Sequence, residues 1–265
     1  MKRIAAIYRA ERFSPNSTDK DHRIMDAVCN LLEHRGYAIT RIREEDFCHT
    51  EDCDICISMG RAAQTLALLE AMRLTGTRIY NSPNGIRNCN RAIADGIMRR
   101  NGIPAAPLQG GNKWWVKRAD ECAQGENDVC FAENDAQRDE IIAGMRQRGI
   151  RDIVVTAHVE GDLLKFYGVA GSGFFRYFYP ADDGEWKFKS EQHNGRSQHY
   201  EFDTRQLQQD ALRLSELIGA DIFGGDCIIR PDGSHVIIDF NDWPSFSRCT
   251  DEAAKAIAGI IINQE

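Results

Sequence analysis

An α/β unit followed by α+β elements is the fold class this sequence predicts, and three observations predict it. Over roughly the first eighty residues, short apolar runs at 3–8 (RIAAIY), 37–42, 54–59 and 78–81 alternate with helical periodicity at 22–35 and 62–74. Such βαβ alternation builds a small parallel sheet with helices on both faces. Later strands instead follow one another directly: 163–169 and 173–179 pair as an antiparallel couple. Finally, the stretch 222–246 reads IFGGDCIIRPDGSHVIIDFNDWPSF, with two apolar runs, 227–229 and 236–238, around a Pro231-Asp232-Gly233 turn, the pattern of a β-hairpin.

Within the first unit, helix 22–35 follows from the spacing of Ile24, Met25, Val28, Leu31 and Leu32, with Gly36 as its C-cap. Ligands of parallel sheets sit beyond the C-terminal strand ends. The polar loop after the first strand, with Arg9, Arg12, Ser14, Asn16 and Ser17, is therefore a candidate substrate loop, and its two arginines point to an anionic substrate. The alternative is a solvated surface loop. Residues 88–101 read as the next helix, ended by Gly102-Ile103-Pro104; 114–118 as a strand with Lys117 near its end; 119–128 as an acidic connection. Residues 129–131 are strand-like, 136–148 a helix stopped by Gly149, and 153–159 a strand entering Glu160-Gly161-Asp162. Residues 187–199 carry no period and read as a loop, 204–218 as a helix, and 252–262 as the closing helix.

The formal charge of −7 over 265 residues, with a pI near 5.6, argues against a protein that coats nucleic acid or an anionic membrane. No apolar run reaches transmembrane length, and the N-terminal run is too short for a signal peptide. Nine irregularly spaced cysteines suit a reducing cytoplasm better than a disulfide framework. Cys48, His49, Cys53 and Cys56 could be read as a zinc or redox cluster, but Cys56 lies inside a buried strand pattern and no second CxxC or His pair is near.

The hairpin carries the chemistry. Asp239 and Asn241 are two apart on one strand and share a face, and Asp226, preceding the opposing apolar run, comes close to them when the hairpin pairs. Two carboxylates and an amide make a hard-oxygen site for Mg²⁺ that takes its remaining ligands from water and nucleotide phosphates. An ordinary hairpin with a solvated polar face would look the same.

With these pieces placed, nearly the whole chain resembles the ATP-grasp superfamily. The helix ending in Gly102-Ile103-Pro104-Ala105-Ala106-Pro107 looks like the family's Gly-Ile-Pro-x-x-Pro, and Trp115-Val116-Lys117 like the strand whose lysine contacts phosphate. Residues 156–161 (Thr-Ala-His-Val-Glu-Gly) look like the adenine hinge, and Asp239-Phe240-Asn241-Asp242-Trp243-Pro244 like the acidic-x-Asn-x-x-Pro end of the metal strand. Asp226 and Asp239 are thirteen residues apart, as in D-alanine–D-alanine ligases. The resemblance implies a Rossmann-like N-terminal domain (1–84), a central lid (85–159) and a C-terminal α+β subdomain (160–265).

It also implies roles. Asp226, Asp239 and Asn241 hold Mg²⁺, with Mn²⁺ fitting the same donors. Lys117 contacts the ATP phosphates, and Arg91 stands where the family places a lysine, with different geometry. Ala157, His158 and Val159 form the hinge, the backbone of Ala157 and Val159 taking the adenine edge and His158 packing, while Glu160 or Asp162 accepts the ribose. Lys165 resembles the cation of ribosomal-protein glutamate ligases and inositol phosphate kinases that sits on the transferred group. Arg176 is a second such cation, and Arg230 and Arg248 are substrate or phosphate contacts. The acidic, glycine-poor stretch 118–128, with Asp120, Glu121, Glu126 and Asp128, departs from the glycine-rich lids of many members. The function implied is ATP-dependent ligation of a small-molecule or peptide carboxylate to an amine through an acylphosphate, in the cytoplasm, without nucleic acid or membrane. A small-molecule kinase and a non-catalytic nucleotide-binding module are the alternatives. A homodimer is compatible with the resemblance, though nothing in the chain dictates one.

Overall fold

The computed structural model describes residues 2–14, 17–119, 125–183 and 193–263. Asn16, Asp120, Glu121 and residues 187–192 of the expected 187–199 loop lie outside the described residues, as does the side chain of Glu126.

Three sheets follow one another along the chain. The first contains β1 (Arg3–Tyr8), β2 (Ala38–Arg43), β3 (Ile55–Ser58) and β4 (Arg78–Tyr80), all parallel in the order β2-β1-β3-β4. Helix α1 (Thr18–Glu33) covers one face through Ile24, Met25, Val28, Cys29 and Leu32, and α2 (Ala63–Leu74) covers the other through Leu66, Leu69 and Met72. The strands and helices agree with the expected alternation, but α1 begins at Thr18, four residues before the start expected from its apolar spacing. Its first turn is polar, with Asp19 and Asp21, which suits the positive end of the helix dipole and leaves no apolar signal.

The helix expected at 88–101 is α4 (Arg91–Arg100), which begins three residues later, and a short helix not expected, α3 (Pro83–Asn88), precedes it. Asn90 starts α4: its side chain accepts from the Ala92 and Ile93 backbone N–H groups, a cap that competes with continuing the helix.

The second sheet, order β6-β5-β7, is β5 (Trp114–Arg118), β6 (Val129–Ala132) and β7 (Ile153–Ala157), backed by α5 (Asp135–Gln147) through Ile141, Ile142 and Met145. The third, order β11-β10-β8-β9, is β8 (Asp162–Val169), β9 (Phe174–Phe178), β10 (Ile222–Ile229) and β11 (His235–Asp242), antiparallel throughout. The short α6 (Pro180–Asp183) follows β9. Helix α7 (Thr204–Ile218) buries Leu207, Ala211, Leu214 and Ile218 against one face of this sheet, and α4 joins it there through Ala94, Ile97 and Met98. Each buried Leu, Ile or Met among these contributes about 1.5–3 kcal/mol of hydrophobic free energy. Asp203 caps α7 at Arg205 and Gln206, and Gly219 ends it with φ 86°, a left-handed geometry that L side chains resist.

The closing helix α8 (Thr250–Asn263) returns to pack on α1, burying Ala253, Ala254, Ile257 and Ile261 in the core of the N-terminal unit. It starts two residues before the expected 252. No helix among the described residues is long and apolar enough to cross a membrane.

Candidate active site

The open face of the third sheet is a grid, and its rows follow from strand register. Phe178, Lys165, Asp226 and Asp239 lie side by side across four strands. One row further, again on that face, lie Arg176, Tyr167, Gly224 and Asn241. On the other side of the charged row lie Leu163, Ile228 and Val236. Alternation puts the charges on this face and Leu164, Phe166, Phe223, Cys227 and Phe240 on the opposite face, under α7. Asp226 therefore sits within β10, directly opposite Asp239, rather than ahead of the strand as the sequence pattern suggested.

A β-bulge makes this possible. Register shifts between Asp226 and Cys227, leaving Ile238 as the extra residue of β11. The bulge allows Val236 and Asp239, three residues apart, to share a face. It also turns the Ile238 carbonyl toward the second sheet, where Lys117 Nζ donates to it at 3.0 Å.

The charges interlock. Lys165 Nζ lies 3.2 Å from both carboxylate oxygens of Asp226. Arg91, at the start of α4, reaches Asp239 Oδ2 at 3.4 Å and donates to the Arg118 carbonyl at 2.9 Å. Its Nε is buried with no partner among the described residues, a donor that a ligand oxygen would fill. Burial pulls the Lys117 ammonium below the ordinary lysine value, and Asp239 opposes that shift. Among the described residues no three His, Cys, Asp or Glu side chains could hold a metal ion. Mg²⁺ would therefore rest on Asp226, Asp239 and the Asn241 amide, completed by phosphate or water oxygens, a donor set that fits a hard cation.

Beside the Leu163 row, Val159, Ala106 and Ile238 complete an apolar patch. A cleft of about 460 Å³ opens next to it, lined by Gln109, Ala157–Glu160 and the hairpin turn at Arg230–Asp232. Arg230 thus stands beside residues 157–160, not beside the charged row, because it follows β10 at the far end of the hairpin. At Ala157 the N–H donates to the Pro107 carbonyl at 2.7 Å, so only its carbonyl is left of that backbone pair for a ligand edge. His158 N–H donates to the Lys113 carbonyl, and its ring accepts from Trp115 Nε1 at 3.1 Å beside Phe131. Burial holds that imidazole below its usual value. This is the packed role expected for it.

Geometry separates the two acids after the hinge. Asp162 is buried and both its oxygens accept backbone N–H groups, from Gln198 at 2.7 Å and Tyr200 at 3.0 Å. Glu160, its side chain 80% exposed, lines the cleft.

Arg176 and Arg248 flank the edge of the grid. Arg176 pairs with Glu252 on α8, and Arg248 lies over the Phe178 ring with a bond to the Tyr179 carbonyl. Arg9, expected to face an anionic substrate, is buried instead. It pairs with Asp21 at 3.0 Å and Asp242 at 3.5 Å, and donates to the Met59 and Trp243 carbonyls. Arg61, which sequence reasoning missed, grips Asp242 from the next loop at 2.5 Å. Neither was legible, because the partner is far away in sequence. Cys56 is buried in β3, where burial pushes its thiol up, and Cys48 lies exposed beside His49.

No protein-family model and no curated protein matches the sequence. Solved structures do. D-alanyl-alanine synthetase A from Vibrio cholerae superposes with TM-score 0.69 at 11% identity, covering 99% of this chain and 98% of that one. A D-alanine–D-alanine ligase from Coxiella burnetii gives 0.65 at 11% identity, covering 100% and 97%. A RimK domain ATP-grasp protein from Sphaerobacter thermophilus gives 0.65 at 16% identity, covering 98% and 99%. The chain has the ATP-grasp fold.

Proposed function

We propose that the chain is an ATP- and Mg²⁺-dependent ligase that joins a carboxylate to an amine through an acylphosphate, releasing ADP and phosphate. The observation that carries this reading is the row Lys165–Asp226–Asp239, with half-buried Arg91 and buried Lys117 converging on its end from another helix and sheet. Structural salt bridges do not need three separate elements to bring cations onto two half-exposed carboxylates. A triphosphate and its metal do, because their charge must be neutralised before an anionic oxygen can approach the γ-phosphorus.

The base would lie on the apolar patch of Val159, Leu163, Ile228 and Ile238, and Glu160 would take the ribose, since the oxygens of Asp162 already hold the 198–200 backbone. Lys117 and Arg91 would hold phosphate oxygens, and Lys165 the group in transfer. Mg²⁺ on Asp226, Asp239 and Asn241 would supply charge neutralisation and fix the phosphate geometry. A substrate carboxylate oxygen attacks the γ-phosphorus as the bond to ADP breaks. The amine then attacks the acyl carbon, the C–O bond to phosphate breaks, and the amine loses a proton. Positioning and charge do the work, with no covalent protein nucleophile.

Transfer to a neutral hydroxyl would call for a base at the acceptor. Beside Tyr167 lie the cations Lys165 and Arg248, the Asp226 carboxylate, which Lys165 pairs and the proposed Mg²⁺ would take up, and the Cys249 thiol, whose pKa burial raises; Glu252 is taken up by Arg176. That favours a carboxylate acceptor over the kinase reading. The deciding assay is the fate of phosphate from Mg-ATP with pooled small carboxylates and amines, with and without hydroxylamine. ADP, free phosphate and a hydroxamate are expected. Phosphate retained on a product would establish a kinase instead.

A further inference from the structure

Strand β8 runs the length of the site, and its three cleft-facing residues mark three zones. Leu163 belongs to the apolar patch, Lys165 to the charged row, and Tyr167 to the row beyond it. The next row, Phe174–Val169–Ile222, is closed, buried with Trp243 and Phe246 in the core under α8. Tyr167 is therefore the last open position along this line. Whatever receives the phosphoryl group must lie above it, because the base end is on the other side of the charges.

The ring is held in place and the hydroxyl is not used. Opposite Tyr167 is Gly224, and the phenol ring lies over it: a Cβ there would stand 3.0 Å from Tyr167 Cδ1 and 2.8 Å from Pro244 Cγ. Phe178 and Phe246 bracket the ring, with centroids at 5.9 and 5.4 Å. Phe246 and Trp243 hold left-handed backbone, φ 48° and 38°, in the turn that carries Pro244 past the ring. Yet the Tyr167 hydroxyl has no hydrogen-bond partner among the described residues, although the cations of Lys165 and Arg248 are near it. Burial pushes the phenol up to about 12 despite those cations, so it stays a neutral donor and does not act as a base.

Resting on the ligase reading above, we propose that Tyr167 holds the phosphoryl acceptor, its hydroxyl donating a hydrogen bond to an oxygen of the substrate carboxylate. Lys165 and Arg248 flank that carboxylate, Asn241 faces it across Gly224, and Tyr167 fixes its approach to the γ-phosphorus.

Tyr167→Phe keeps the ring and its packing and removes only the donor. The test compares it with the wild type for Mg-ADP affinity by calorimetry, and for hydroxamate formation from Mg-ATP, hydroxylamine and pooled small carboxylates. Mg-ADP affinity is expected to stay the same, while kcat/KM for the carboxylate falls about tenfold, mainly through KM, as loss of one net hydrogen bond would give. Wild-type acceptor constants in Tyr167→Phe would overturn the assignment and leave the ligase reading standing. Equal losses in Mg-ADP affinity and in carboxylate kcat/KM would also overturn it, since they report a distorted site. A wild-type protein that binds Mg-ADP but forms no hydroxamate would overturn the ligase reading, and the role of Tyr167 with it.

Discussion

Two carboxylates three residues apart on β11, Asp239 and Asp242, sit in opposite circumstances. Asp242 is buried and over-satisfied, gripped by Arg9 from the end of β1 and by Arg61 from the loop after β3. Asp239 keeps part of its surface open, accepts from the Phe240 N–H at 3.1 Å and meets Arg91 at 3.4 Å, beside a second carboxylate. The first arrangement joins the N-terminal sheet to the end of β11. Its charges have no capacity left for a ligand, so it reads as a structural joint. The second leaves Asp226 and Asp239 partly exposed to the cleft and keeps a donor in reserve, the unpartnered Arg91 Nε. Spare hydrogen-bonding capacity, more than charge itself, separates a site from a joint.

Substitutions can break or sharpen that contrast. The largest effect is expected at Asp239→Asn: turnover of Mg-ATP should disappear, while Tm and the circular dichroism spectrum stay at wild type. Unchanged activity would remove Asp239 from the metal set. At the joint the outcome should be inverted. Arg9→Met leaves Asp21 and part of the Asp242 charge buried without a partner, at a cost of about 3–5 kcal/mol, read as a lower denaturation midpoint. A normal midpoint with lost activity would show that Arg9 faces substrate after all.

Lys117→Ala tests the intermediate case, a buried cation on a backbone carbonyl. Mg-ADP should bind about ten- to a hundredfold more weakly, and adenosine almost unchanged, since only phosphate contacts are lost. Equal losses would indicate a folding defect. Smallest is a titration far from the phosphates, at buried His235, whose ring contacts Asp210 at 3.1 Å. Burial lowers the His235 pKa in the folded state, so below the ordinary value of about 6.5 the unfolded chain takes up more protons. Stability should be full above that pH and fall as pH drops through it toward the folded value. In His235→Phe the slope of Tm against pH over this window should flatten, leaving the part due to His158, which is lowered in the same direction. An unchanged slope would remove His235 as its source.

Local pattern determined a good deal here. The βαβ alternation, the hairpin about Pro231–Gly233, β5 with Lys117 at its fourth position, and α7 between Thr204 and Ile218 all follow from apolar period and turn chemistry, which act over a few residues. Asp239 and Asn241 on one face is a consequence of strand alternation alone. Other features were decided only in three dimensions. The start of α4 turns on one capping side chain, Asn90, which lies two residues inside the range that the pattern reads as helical. The bulge at Ile238, which aligns Asp226 with Asp239 and offers a carbonyl to Lys117, leaves no mark in the composition of the strand. The fate of each arginine was least legible. Arg9 and Arg91 are the same side chain, and nothing nearby in the chain says that one would meet Asp242, 233 residues away, while the other kept a donor unfilled. A charge becomes a joint or a site according to what distant segments bring to it, and that is settled by packing.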